Sequence, residues 1–402
     1  MVTFLLNKIE DKYLVGSDLE IQNPADVVAD FFQNLKNALK WGVEMEEDVL
    51  YFICGENWQQ EFDFEQLRES LYELANINIY SVYTNVVAQD RIWINERFSA
   101  TMGIQKIHSF ILLRPMFQLV LSYLDLVSEF PQVSWNNFLE KINPHSFVLN
   151  YGEKFSLKPN KFHVISTFRN VEKYIGECVT SILDQDYQNY NVTFIDDCSD
   201  DNSSKLIPKS RSIKTIINND RKYALQNILD ALNENALIND DDTIICILDG
   251  DDLLSHKYVL NILNYIYQDD NLLFTYGAMH YKDNPAKIGC PYTIGEFEDL
   301  RNSQWKIAHL RTFRYKLFKK FKEMDPALTS CRDSEGSIIH MPADMALLFP
   351  LIELAGYKNA RFIDIPLYTY RIHPNNDHIL NREKQFIGEQ MIRSKMRFSP
   401  AF

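Results

Sequence analysis

A chain of 402 residues has room for two or three domains, and 46% hydrophobic with 24% charged residues is the balance of an ordinary globular protein. A formal net charge of −14 argues against a nucleic-acid partner, because phosphate backbones demand a basic surface. The six cysteines form no Cys-x-x-Cys pair and no zinc-ligand spacing, so they read as core residues in a reducing cytoplasm.

In chain order, the N-terminal apolar stretch is too short for a signal peptide. Segments around 25–41 and 62–74 read as helices, Asp48–Cys54 and Ile77–Tyr83 as strands. Residues 1–155 are therefore expected to form a separate α/β domain, with no chemistry that can be named. Phe110–Val127 is the most apolar stretch, yet it carries Arg114 and Asp125. It reads as a core helix, not a transmembrane segment. The polar stretch Tyr151–Lys161 reads as a linker, so the second domain is expected over 156–402.

From Phe162 the pattern becomes regular. Phe162–Ser166, Asn191–Ile195, Ser212–Ile217, Thr243–Leu248 and Asn271–Tyr276 are strand candidates. Between them, apolar residues recur at helical spacing: Ile175, Cys178 and Ile182, then Leu225, Ile228 and Leu232, then Val259, Ile262 and Ile266. Alternation of this kind predicts a parallel, doubly wound α/β sheet. Helices are expected near 303–322 and 342–356, and a last strand near 361–371.

The apolar run Ile244–Leu248 ends abruptly in Asp249-Gly250-Asp251-Asp252. Carboxylates at the C-terminal end of a buried strand lie where open α/β sheets bind ligands. Their mutual repulsion is relieved by a hard divalent cation, which would in turn hold a phosphate. Gly250 reads as leaving room for a ligand beside the backbone. One Asp-x-Asp is weak evidence in a chain with paired aspartates also at 196–197, 200–201, 240–242 and 269–270; its place in an ordered series is what carries weight.

That series starts with Thr167-Phe168-Arg169-Asn170-Val171-Glu172-Lys173-Tyr174 and continues with Ser181-Ile182-Leu183-Asp184-Gln185-Asp186-Tyr187. It then runs through Asp196-Asp197-Cys198-Ser199-Asp200 to Asp249-Gly250-Asp251-Asp252. The series resembles glycosyltransferase family 2 over residues 162–275 and more loosely over 300–375. The resemblance implies a GT-A fold, with a nucleotide-sugar half at 162–275 and an acceptor half at 276–402. Thr167, Arg169 and Asp197 would then meet the base, with Arg169 standing where the family often has Tyr. Arg221, Asp249, Asp252 and Arg371 would hold the rest of a nucleoside-diphosphate sugar, most readily a UDP-sugar. Asp251 and His373 would bind the metal, Mn²⁺ or Mg²⁺, and Asp344 would deprotonate the acceptor hydroxyl. For Asp344 the plain alternative is an acidic residue that only complements a helix dipole.

His309 and Arg311, in a basic and aromatic run expected to be helical, are candidates for the acceptor side. The lysines that follow read as the solvated face of a core helix. The expected activity is an inverting transfer of sugar to a glycan, lipid-linked or protein acceptor. Two rivals stand beside it. One is a haloacid-dehalogenase-like phosphotransferase, although Leu253 departs from that motif. The other is a non-catalytic nucleotide-sugar-binding or partner-binding module.

Overall fold

The computed structural model describes residues 2–5, 35–46, 48–53, 64–127, 143–150, 155–233, 238, 240–374 and 381–402. The chain divides into two compact units, Met1–Ser156 and Leu157–Phe402. In the first unit the elements run β1 (Val2–Leu5), α1 (35–44), β2 (Val49–Ile53), α2 (Phe64–Ala75), β3 (Ser81–Trp93), β4 (Phe98–Leu113), α3 (Arg114–Val127) and β5 (Phe147–Leu149). Their five strands form one sheet in the order β1-β2-β4-β3-β5. Leu39, Leu50, Phe52, Tyr83, Phe110 and Phe117 close its core.

Phe110–Val127 is not one helix. Phe110–Leu113 pairs antiparallel with Val49–Phe52, and the helix begins only at Arg114. The apolar run suited either state, and Pro115 decides the boundary, because proline is at home in a first helical turn and in no central strand. Likewise Asn76–Asn78 is a turn, Ile79 and Tyr80 belong to no regular element, and the strand runs from Ser81 to Trp93. The expected helix over 25–34 lies outside the described residues.

The second unit contains β6 (Phe162–Phe168), α4 (Ile175–Leu183), β7 (Tyr190–Asp196), β8 (Ile213–Ile217), α5 (Tyr223–Asn233), β9 (Ile244–Asp249), β10 (Leu253–Leu254) and α6 (Val259–Ile266). There follow β11 (Phe274–Tyr281), β12 (Asn284–Ile288), α7 (Ile294–Glu298), β13 (Arg311–Arg314), α8 (Tyr315–Met324), α9 (Ala343–Ala355), β14 (Ala360–Tyr370) and α10 (Arg382–Arg393). The nine-stranded sheet runs β10-β14-β11-β13-β9-β6-β7-β8, with β12 beside β11. β9, β6, β7 and β8 are parallel; the apolar runs of β9, β6 and β7 are those of strands covered on both faces, whereas β8 is the partly exposed edge.

Two expectations fail in the second part. The stretch 303–322 is not one helix: Arg311–Arg314 enters the sheet antiparallel between β9 and β11, and the helix starts at Tyr315. All four strand residues are buried, and Arg314 is tolerated because its guanidinium donates to the carbonyls of Leu272, Tyr267 and Asp269. The doubly wound sheet is thus mixed on this side. The helix α10 was not anticipated at all, because its apolar residues Phe386 and Ile387 face outward while Gly388 and Ile392 face in. No helix among the described residues is long and apolar enough to cross a membrane.

The lysines of α8 have local partners. Lys316 pairs with Asp242, Lys319 with Asp241 and Lys320 with Glu323, while Lys322 donates to Asn233. Cys178, Cys246 and Cys331 are buried thiols, whereas Cys290 is exposed.

Candidate active site

From β6 the chain steps outward to β7 and β8, then returns to lay β9 on the other side of β6. The C-terminal ends of β6 and β9 therefore form a topological switch point, where open sheets leave a crevice for ligands. Thr167 lies directly opposite Asp249 there. A cleft of about 1150 Å³ opens over these ends. Every site residue expected from the sequence borders it except Arg371.

Gly250 has a different purpose from the one expected. A side chain there would collide with Cβ of Phe168 and come within 3.2 Å of the Thr167 carbonyl, to which Gly250 donates its N–H at 3.0 Å. The glycine lets β9 close against β6; no room is left for a ligand.

The three carboxylates of the acidic turn differ sharply in surroundings. Asp252 is buried, with Oδ2 accepting from the Tyr368 hydroxyl at 2.6 Å and Oδ1 from the Arg371 N–H at 2.7 Å. Burial, reinforced by the charges of Asp251 and Asp249, pushes its carboxyl up to about 9. Asp252 thus ties the turn to the end of β14. Asp251 is more open and shares a 2.8 Å hydrogen bond with His373 Nε2. The His373 ring stacks on Tyr174, at 4.7 Å between centroids. Asp249 is the most exposed of the three, with His309 Nε2 at 3.9 Å.

Arg371 braces this turn from behind. Its Nε donates to the Asp251 carbonyl at 2.9 Å, its guanidinium lies over Tyr174, and a terminal nitrogen pairs with Glu177 at 3.2 Å. Glu177 is held below the ordinary carboxylate range, first by its hydrogen bond with Lys282 and further by Arg371. Burial, and secondarily Arg311, lowers His309 well below the usual imidazole value, so the ring is neutral near pH 7.

The other wall is built from short polar turns. Asn170 and Val171 donate their N–H groups to the hydroxyls of Ser199 and Ser203, and Asp200 donates its N–H to Asn170 Oδ1 at 2.8 Å. Arg169 donates to the Cys198 carbonyl and pairs with Asp200 at 3.1 Å. Asp197 is buried and accepts from the N–H groups of Lys222 and Tyr223 and from Asn227 Nδ2, at 2.7, 3.0 and 2.9 Å. It therefore holds the start of α5; Asn218 Nδ2 adds a fourth donor to Oδ1 at 3.5 Å, while Oδ2 accepts from Tyr223 and faces Arg221. Arg221 lies over the Tyr223 ring at 4.2 Å, with its Nε 3.8 Å from Asp197. Tyr223 stacks in turn on His340 at 3.7 Å. Sequence reading missed His340, Tyr174 and Tyr368, because a single aromatic carries no signal of its partner.

Across the cleft, Asp344 stands in the first turn of α9. Its Oδ2 accepts from Arg311 at 2.7 Å and its Oδ1 from the N–H of Met345 at 2.9 Å. Arg311 reaches it from the antiparallel strand β13, so the pair depends on the element that the sequence reading took for a helix.

Asp251 and His373 offer one carboxylate and one imidazole, a donor set that suits Mn²⁺ and is acceptable to Mg²⁺. Among the described residues no three His, Cys, Asp or Glu side chains form a ligand cluster by themselves. Oxygens from a substrate or from water would have to complete the coordination.

Residues 163–325 match the family model described as Glycosyl transferase family 2. The match covers 163 of the 402 residues, all within the second unit. No curated protein matches the chain. Solved structures to which the chain is similar include TarS 1–349 of S. aureus in complex with UDP, at 19% identity over 58% of this chain and 64% of that one, TM-score 0.41. Glucosyl-3-phosphoglycerate synthase of Mycobacterium tuberculosis, with Mn²⁺, UDP and glucosyl-3-phosphoglycerate, matches at 13% identity over 60% and 82%, TM-score 0.40. The mannosyltransferase PcManGT of Pyrobaculum calidifontis, with GDP-Man and Mn²⁺, matches at 14% identity over 61% and 70%, TM-score 0.39. The chain spans under two thirds of the TarS fragment and 39% of the longer TarS chain. The N-terminal unit lies outside the family match.

Proposed function

We propose that this protein is a glycosyltransferase, inverting and metal-dependent, that moves a sugar from a nucleoside-diphosphate donor, most readily a UDP-sugar, to an acceptor hydroxyl. The observation that carries the reading is one cleft bordered on one side by the Asp251–His373 pair and on the other by Asp344. In this scheme Thr167, Arg169 and Arg221 cradle the nucleoside, and Asp197 Oδ2 accepts a ring N–H. Asp249 orients ribose or sugar hydroxyls. A divalent cation held by Asp251 and His373 would offset the negative charge of the departing diphosphate.

Asp344 removes the proton from the acceptor hydroxyl. The freed oxygen forms its bond to the anomeric carbon from the face opposite the diphosphate, and the bond from that carbon to the phosphate oxygen breaks. Arg311 keeps the Asp344 carboxylate aimed through their 2.7 Å contact, and neutral His309 is a hydrogen-bond partner for the sugar or acceptor. Asp252 and Arg371 act one step back, by fixing the turn that presents Asp251.

The test is donor turnover with Mn²⁺, with and without EDTA, for the full chain and for Asp251→Ala. Both treatments are expected to abolish nucleoside-diphosphate release while the fold persists. Turnover that survives both would overturn the metal-dependent reading.

A further inference from the structure

The helix α10 is turned the unusual way round. Gln385, Gly388, Glu389 and Ile392 fall on one face at spacings of three and four residues. Gly388 and Ile392 on that face are buried, and Gln385 and Glu389 border the cleft. Phe386 and Ile387, the most apolar neighbours, are 63% and 59% exposed on the other side. A helix that turns amide and carboxylate groups inward, at the expense of two large apolar side chains, has a polar cavity to serve.

Its seat is tight. A side chain at Gly388 would run into the carbonyl of Met341 and lie 3.0 Å from Pro342 Cδ, so only glycine allows the helix this close. Asp344 follows Pro342 by two residues. The far end is clasped by Arg301, which donates to the Ile392 carbonyl at 2.7 Å, and by Arg393, whose Nη1 donates to the carbonyls of Arg301 and Ser303. Arg393 also holds Glu389 Oε1 at 2.8 Å, which leaves Oε2 to accept from a ligand. The Gln385 side chain makes no hydrogen bond among the described residues, so its donor and acceptor are both on offer.

The surroundings narrow what would use these groups. Trp305 borders the same cleft, half-buried, with Phe349 edge-on beneath it at 4.9 Å. The two cations of this wall are committed: Lys306 pairs with Glu296 at 2.7 Å and Arg311 with Asp344. A phosphorylated acceptor would bring negative charge towards Glu389 and Asp344, and a lipid chain would strip water from an amide and a carboxylate without replacing it. A flat indole beside hydrogen-bonding groups suits the C–H face and hydroxyl rim of a neutral sugar ring.

We infer that α10 forms the acceptor wall of the cleft and that Gln385 and Glu389 select a neutral carbohydrate acceptor by hydrogen bonds to its hydroxyls. This rests on the glycosyltransferase reading of the same cleft. The test uses the full chain loaded with UDP and Mn²⁺, and follows the binding of a panel of methyl glycosides by saturation-transfer NMR. At least one glycoside is expected to bind, and Gln385→Ala and Glu389→Gln should each weaken it about tenfold while UDP affinity holds. Phe386→Ala, on the outward face, should change neither. Glycoside binding that is indifferent to both inward substitutions overturns the inference, as does a chain that takes UDP but no glycoside. Failure to bind UDP at all would instead sink the donor reading beneath it, and this proposal with it.

Discussion

Within the second unit, residues 162–275 and 276–402 build their shares of one cleft in different ways. The first half braces itself locally. Arg169, Asn170, Val171 and Glu172 are tied to residues about thirty positions ahead, all within adjoining loops of parallel strands. The second half works at long range: His373 reaches back 122 residues to Asp251, Arg371 reaches 119 to Asp252, and Arg301 reaches forward 52 to Glu353. The turns around Arg169 and Asp197 are thus braced locally, whereas the acidic turn is held by residues from the far half of the unit.

The sharpest way to break that contrast is to remove a group from each half and ask which property fails. Asp344→Asn should lower kcat by about 10²–10⁴, the span of general-base catalysis, with nucleoside-diphosphate affinity unchanged. Steady-state kinetics with calorimetric UDP titration reads both numbers, and an unaltered kcat would remove Asp344 from the chemistry.

Next in size is the buried pair that anchors α10. Glu353 accepts from Arg301 at 2.5 and 2.8 Å and also from the N–H of Phe398. Arg301→Ala leaves a buried carboxylate unpaired and should cost roughly 3–5 kcal/mol in urea unfolding. The double substitution Arg301→Met with Glu353→Leu should recover most of that loss. Equal losses in the single and double variants would show that the pair is not what seats the helix.

A smaller effect is expected on the donor side. Gly250→Ala forces β9 away from Phe168, at about 1–3 kcal/mol for an overpacked contact, and should lower activity by displacing Asp251. A variant of unchanged stability and activity would mean that the acidic turn shifts freely.

The mildest test is a pH series confined to the first half. Burial lowers His163 to about 4 and His256 to about 3, so both are neutral in the folded chain near pH 7. An unfolded histidine takes up its proton near pH 6.5, so the unfolded state binds more protons below that point. Stability should therefore fall as pH drops from about 6.5 towards 4, and His163→Gln should flatten the slope of the urea midpoint against pH. A slope unchanged by that substitution would assign the acid sensitivity to other groups.

Much of the first half was readable from residues alone. The strands expected at Asn191–Ile195 and Thr243–Leu248 lie within a residue of β7 and β9, because a buried parallel strand declares itself as an unbroken apolar run between polar loops. The second half was harder. Leu310-Arg311-Thr312-Phe313 carries the aromatic and basic rhythm of the helix that follows, and only a gap between β9 and β11 makes it a strand. The inward polar face of α10 gave no apolar period to detect, since its partner is a cavity.

By itself the sequence determined the α/β class, where the parallel strands lie along the chain and the acidic turn at the end of β9, because these depend on local periodicity and on residues adjacent in the chain. Tertiary structure alone decided that Asp252 is a buried brace while Asp251 stays open to His373, that Arg311 comes to Asp344 from a strand, and that Gly250 and Gly388 answer to packing. Burial and pairing across more than a hundred residues are products of closure, and a string of residue types does not encode them locally.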